Sequence, residues 1–357
     1  MLSRLRRLLA PLKQAVGPAT PAAFKAAPKP VASKPDLPPN PENRDDLARR
    51  FLVEDPRAGD VPLLERRWYY SIEHEPGAWT AGMNYSPTAM TRKALSAVDV
   101  AGRSCVDIGS MDGLIPVLLA RRGAGRVVSY DRLDFGQKMA FLQEKLGVAF
   151  EYHAGLSLKQ FRDRHLATTP LDIAVFSGVL YHMFDPLGGL LLARSMVRDG
   201  GILIIETGAT VSEENAAFFN GAARFYDGDN FWLPSLVNLD YLLRFARLAP
   251  LEVFYLKQTA RTDKNVPICR VCVACRAVGK PPAAPDDNWI HLPQHVDFAE
   301  LIDWKVTAGA AGPEVPYTPT RPDLPLGPAG TVDLLASVRR FPEGPRQPTK
   351  LALSDMW

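Results

Sequence analysis

Cys105-Val106-Asp107-Ile108-Gly109-Ser110-Met111-Asp112-Gly113-Leu114 is the stretch whose reading decides the fold. An apolar strand ends on a carboxylate, a turn with two glycines follows, and an amphipathic helix begins at Leu114. Glycine lets a backbone turn tightly and approach a ligand closely. In an open parallel sheet, ligands bind in the crevice beyond the carboxyl ends of the strands. Working outward, the next strand ends at Tyr130-Asp131-Arg132, 24 residues after Asp107. Strand-like runs at Ser104–Ile108, Arg126–Tyr130, Ala149–Tyr152, Leu171–Phe176, Gly201–Thr207, Leu251–Leu256 and Ile268–Arg276 alternate with amphipathic stretches, notably Leu114–Arg122, Gly136–Leu146 and Gly188–Val197. The expected fold is α/β: a mostly parallel seven-stranded sheet with helices on both faces.

The regions flanking this core differ in composition. The 357 residues are 46% hydrophobic and 23% charged, with a net charge of +3. Residues 1–50 hold ten Lys/Arg against four Asp/Glu, so the other 307 carry a net charge of −3. We expect a basic, Pro/Ala-rich disordered leader over 1–48, an N-terminal helical cap over 49–100, the catalytic domain over 101–280 and a Pro-rich extension over 281–357. Leu2, Leu5, Leu8, Leu9 and Leu12 share one helical face among arginines. That face offers weak contact with an anionic membrane surface, a frayed terminus being the alternative. No run of 18 apolar residues predicts a transmembrane segment. Four cysteines, and a start that lacks a continuous apolar signal segment, fit a cytoplasmic protein.

The turn admits three readings. A nicotinamide dehydrogenase wants G-x-G-x-x-G with helix amides facing a pyrophosphate. Here Gly109-x-x-x-Gly113 stands instead, with Asp107 at the turn. That carboxylate repels a pyrophosphate but suits the ammonium of a methionine moiety, which favours S-adenosylmethionine. A structural strand–turn–helix without a ligand is the third reading. A second block follows the strand at Leu171: Ser177-Gly178-Val179-Leu180-Tyr181-His182, then Met183-Phe184-Asp185-Pro186-Leu187. Its start faces the same crevice.

VDIGSMDG, SYDR, FSGVLYHMFDPLGGL and VRDGGILIIET resemble successive motifs of the class I S-adenosylmethionine-dependent methyltransferases, which have a Rossmann-like fold. RRWYYSIEHEPGAWTAGM and DNFWLPSLVNLDYLLRFA resemble the flanks of one branch, which includes the bacterial tRNA wobble-uridine carboxymethyltransferase. The resemblance covers about residues 65–278. It implies that Asp107, Gly109, Ser110 and Gly113 surround the methionine end of the cofactor. Asp131, with Arg132 beside it, matches the ribose-binding acid, and Ser177 and Gly178 match the segment beneath the cofactor. Met111 replaces a glycine common there. Tyr181 matches a position that helps read the carboxylate of carboxy-S-adenosylmethionine; the rest of that basic clamp has no evident counterpart, so ordinary S-adenosylmethionine is expected.

Methyl transfer needs alignment of a nucleophile and exclusion of water. His182 is the candidate base and Tyr181 its catalytic neighbour, because a neutral imidazole is available near pH 7. The alternative is that His182 caps a helix or packs in the wall. Trp68, Tyr69 and Glu73 are candidate acceptor-binding residues, an apolar lid being the alternative for the aromatic run. The expected acceptor is a small molecule, with tRNA the second candidate and a non-catalytic binding protein the third. Cys269-x-x-Cys272-x-x-Cys275, with His291 and His295, formally matches a zinc spacing. Cysteines three apart in a strand point to opposite faces, so no metal is expected.

Overall fold

The computed structural model describes residues 62–66, 68–82, 86–220, 230–262, 264–279, 312–321, 323–327 and 330–340. The leader, His291 and His295 lie outside them. In chain order the elements are β1 (Glu73–Glu75), β2 (Ala78–Trp79), α1 (Ser86–Ser96), β3 (Ser104–Ile108), α2 (Leu114–Arg121), β4 (Arg126–Asp131), α3 (Gly136–Leu146), β5 (Glu151–Ala154), α4 (Leu158–Phe161), β6 (Leu171–Ser177), α5 (Pro186–Ser195), β7 (Val197–Thr210), β8 (Ala217–Phe219), β9 (Trp232–Pro234), α6 (Leu236–Phe245), β10 (Leu248–Arg261), β11 (Pro267–Ala277) and α7 (Leu334–Arg340).

Seven strands form one sheet in the order β10-β11-β7-β6-β3-β4-β5. The five from β7 to β5 run parallel, and β11 pairs antiparallel with both β7 and β10. The order reverses at β3: β4 and β5 lie on one side of it, β6 and β7 on the other. This switch point opens a crevice at the carboxyl ends of β3 and β6.

Period-two alternation sorts the apolar side chains onto two faces. In β7, Leu203 and Ile205 join the core with α5, α6 and α7, whereas Ile202 and Ile204 join the core with α1, α2 and α3. The cysteines follow the same rule. Cys269 and Cys275 face one core and Cys272 the other, all three buried, and burial raises each thiol well above its ordinary value. Among the described residues no group of His, Cys, Asp or Glu is arranged to hold a metal ion, and no helix is long and apolar enough to cross a membrane.

Several expected boundaries shift. β7, expected over Gly201–Thr207, runs from Val197 to Thr210, and β10, expected over Leu251–Leu256, runs from Leu248 to Arg261, because both pair along the length of β11. The strand expected over Ala149–Tyr152 starts at Glu151 instead. Gly147 ends α3 with φ +60°, the Val148 N–H bonds back to Gln143 O, and the Phe150 N–H bonds to the Gln143 side chain, so residues 148–150 are spent on the cap. The helix expected at Gly188–Val197 begins at Pro186. Asp185 caps it by accepting from Gly188 N at 2.9 Å, and its last residues yield to β7.

Residues 312–340 carry no long apolar run, yet their described parts pack on the sheet. Val315 enters one core, and Leu324, Val332, Leu334 and Val338 enter the other. Glu252, fully buried on β10, holds this segment: it accepts from Tyr317 Oη at 2.6 Å, Thr320 Oγ1 at 2.6 Å and Thr320 N at 3.2 Å. Arg276 Nη1 donates to Gly200 O at 3.0 Å and to Val315 O at 2.5 Å. Hydrogen bonds to a charged group are each worth about 1.5–3 kcal/mol and are not additive. We therefore expect Glu252→Ala to lower stability by about 2–4 kcal/mol, with faster proteolysis within 312–321; chemical denaturation and limited proteolysis read both.

Candidate functional site

The turn after β3 takes its shape from three left-handed residues: Gly109 (φ +83°), Met111 (φ +46°) and Gly113 (φ +90°). Glycine adopts such values freely; Met111 does so under constraint. The constraint comes from Asp131, at the end of β4, whose Oδ2 accepts from Met111 N at 2.9 Å while Oδ1 accepts from Leu133 N at 3.0 Å. Tyr130 O accepts from both Gly109 N (2.8 Å) and Ser110 N (3.1 Å). A Cβ at Gly109 would stand 2.4 Å from Val179 Cγ2, and one at Gly113 would stand 2.6 Å from Met139 Sδ. Ser110 is buried, with its hydroxyl bonded to Asp107 O, Tyr130 O and Ser129.

Three carboxylates converge here. Asp107 is 2% exposed, and its Oδ2 finds no hydrogen-bond partner among the described residues. Burial pushes its carboxyl up to about 7; Ser110 opposes this and the Asp131 charge adds to it. Burial likewise raises Asp131. Asp112 is compensated: Lys138 Nζ stands 2.8 Å from Oδ1, both side chains buried. Its Oδ2 accepts the backbone N–H groups of Tyr69 and Tyr70, which ties the cap to the turn. Burial, then the Asp107 charge, push the Tyr70 hydroxyl above its ordinary value.

At the end of β6, Ser177 Oγ lies 2.7 Å from Thr91 Oγ1, and Gly178 (φ +74°) donates to Glu206 O. Tyr181 is buried on a 3-10 turn, Leu180–His182, with its hydroxyl 3.5 Å from where a Gly178 Cβ would sit. Arg270 on β11 donates from Nη2 to that hydroxyl at 3.0 Å, and its guanidinium lies 4.4 Å from the Tyr181 ring. The same guanidinium forms a bidentate pair with Glu206 on β7, at 2.7 and 2.6 Å.

The structure thus gathers Asp107, Gly109, Ser110, Gly113 and Asp131 about one turn, with Ser177, Gly178 and Tyr181 at the neighbouring strand end. Arg132 and His182 are exposed, the His182 ring 4.3 Å from that of Tyr181. Trp68 is 1% exposed and packed against Phe141, its Nε1 on Leu63 O. Glu73 accepts from Gly77 N in the β1–β2 turn. Tyr69 is half-buried over Asp112. A hollow of about 570 Å³ lined by Pro325, Asp333, Leu335, Ala336, Arg339 and Arg340 shares no residue with this crevice.

Asp112, Lys138, Glu206 and Arg270 escape the motif reading. The last two had a signal: opposite charges inside two apolar strand runs, ILIIET and ICRVCV, must meet if both runs are buried.

Five parallel strands extended by an antiparallel pair, in this order and with this turn after β3, constitute the class I methyltransferase fold. No family model matches the chain. Its sequence is similar to tRNA U34 carboxymethyltransferases. It is 23% identical to that of Campylobacter hominis over 173 residues, 47% of this chain and 58% of the relative. It is 30% identical to that of Azotobacter vinelandii over 152 residues, 42% of this chain and 46% of the relative. The chain spans about half the length of the curated relatives it matches. Among solved structures, the N-terminal domain of EvdMO1 in the presence of SAH and D-fucose is 19% identical, with a TM-score of 0.44, covering 66% of this chain and 97% of that one.

An acid raised by burial binds a proton in the folded state that the unfolded state has released. The contribution of Asp107 to stability without ligand is therefore present at low pH and is lost as pH rises from 3.8 to about 7. Denaturant midpoints measured across that range for the unaltered chain and for Asp107→Asn should differ by this slope; identical pH profiles would count against the Asp107 assignment.

Proposed function

We propose that the chain is an S-adenosylmethionine-dependent methyltransferase acting on a small-molecule acceptor. One observation carries the reading: three buried carboxylates, Asp107, Asp112 and Asp131, meet at a left-handed turn on the switch point, with the Lys138 ammonium as their ion-pair partner on Asp112. The excess negative charge suits a cationic ligand and opposes a pyrophosphate. Asp107 Oδ2, buried and without a hydrogen bond among the described residues, fits an ammonium group of the methionine moiety. Asp131 retains lone pairs for the ribose hydroxyls.

S-adenosylmethionine bound here would supply an electrophilic methyl group. The chain's own residues orient and enclose it. Gly178 brings the β6 strand end close to the crevice, Tyr69 and Tyr70 cover the turn, and His182, exposed beside Tyr181, takes the acceptor's proton. The charge distribution supports a small acceptor, since residues 51–357 are net acidic by three charges.

A second reading has its own support. Arg270 supplies, against the Tyr181 hydroxyl, the basic group that a carboxylated cofactor requires, and the similar tRNA U34 enzymes are named carboxymethyltransferases. In this chain Glu206 already pairs with Arg270, which favours a donor whose transferred group is a plain methyl without a carboxylate.

Calorimetry should show binding of S-adenosylmethionine and S-adenosylhomocysteine and none of NAD, with proton release near pH 6.5 that Asp107→Asn removes. Asp131→Ala should weaken this binding by about tenfold or more while the fold survives. Tighter NAD binding would overturn the reading. Incubation of the full chain with tRNA and carboxy-S-adenosylmethionine at about 150 mM salt should yield no modified wobble uridine; a modified uridine would establish the second reading instead.

A further inference from the structure

Four aromatic side chains are gathered beside the crevice, and nothing in the proposed donor chemistry uses them. Phe184 is 71% exposed, Phe219 49% and Phe231 38%, and Trp232 is half-buried among them. Phe219 and Trp232 are directly opposed on the β8–β9 ladder with ring centroids 5.0 Å apart, and Phe184 meets Phe231 edge-on at 5.7 Å. Trp232 Nε1 donates to Phe184 O at 3.0 Å, which joins the two pairs into one patch. The patch is rooted in the site, because Phe231 N donates to Tyr181 O at 2.7 Å and His182 follows on the same turn. Contiguous exposed apolar surface on a chain of this size marks a binding site.

We propose that this patch holds the methyl acceptor, and that the acceptor is a small uncharged compound carrying a planar aromatic ring; the inference rests on the donor reading above. Aromatic faces receive planar rings by offset stacking or edge-to-face contact. Trp232 spends its N–H on Phe184 O, so the patch offers ring surface more than hydrogen bonding. The charge of the described segments nearby opposes phosphate-bearing ligands. Segments 178–193, 211–220 and 230–236 contain no Lys or Arg, and they contribute the exposed acids Asp185, Glu213 and Glu214, of which Glu213 pairs with Arg339 at 2.8 Å. A ring stacked on Phe184 and Phe231 lies next to the turn that bears His182, the proposed base.

The test uses the full chain saturated with S-adenosylhomocysteine and three probes: catechol, uridine 5′-monophosphate and D-fucose. Saturation-transfer NMR should show catechol bound through its ring protons and the other two bound more weakly. Phe184→Ser and Phe219→Ser change exposed side chains and should leave calorimetric S-adenosylhomocysteine affinity unchanged while weakening catechol about fivefold. Equal catechol affinity in the variants, or tighter binding of the nucleotide or the sugar, overturns the inference and leaves the donor reading intact. Absence of S-adenosylhomocysteine binding in the unaltered chain overturns the donor reading and the inference with it.

Discussion

Asp112 is fully buried and accepts from three directions at once: Lys138 on α3 and the backbone amides of Tyr69 and Tyr70 in the cap. Breaking such a pair by removing one partner leaves an uncompensated charge in the interior, at about 3–5 kcal/mol. The glycine turn, the helix that packs behind it and the segment that covers it are thus fixed to one another through a single carboxylate. Asp131 does the complementary work from β4, holding Met111 in a left-handed conformation that a methionine otherwise avoids. A turn set by these two acids is preorganised, and a ligand entering it meets oriented charge instead of inducing it.

Most of the sheet is legible in the sequence because its strands are buried on both faces. A run such as Ile202–Ile205 has no polar alternative to account for, and β3, β4, β6 and β11 match their expected positions to within a residue at most boundaries. β7 and β10 run beyond their apolar cores because ladder pairing with β11 continues past them, and two other errors occur where a side chain competes with the backbone ladder. Gln143 consumes the amides ahead of β5, and Asp185-Pro186 starts α5 earlier than its apolar pattern suggests. The β8–β9 hairpin and the docked C-terminal segment were hidden for a different reason. Their apolar runs are short, and hydrogen bonds from Glu252, Arg276 and Ser235 elsewhere in the chain help to hold them.

The site was legible in part, and for the same reason. Residues that make a turn, such as Gly109 and Gly113, announce themselves by type and spacing. Residues that make a field do not. Glu206 and Arg270 are 64 positions apart and become neighbours only because β11 lies against β7. Trp68, expected to bind the acceptor or to form part of an apolar lid, packs against Phe141 under the Lys138 ammonium.

The sheet order has a consequence for how the chain is made. β11 lies between β7 and β10, although it is the last of the seven strands to be synthesised. Until residues 267–277 leave the ribosome, the apolar edge of β7 has no strand to pair with on that side, and β10 has no neighbour at all. Unpaired apolar edges invite association with other chains. The sheet must therefore remain open for most of its own translation and close in one late step, so protection of the nascent chain matters more for this protein than for one whose strands pair in the order they emerge.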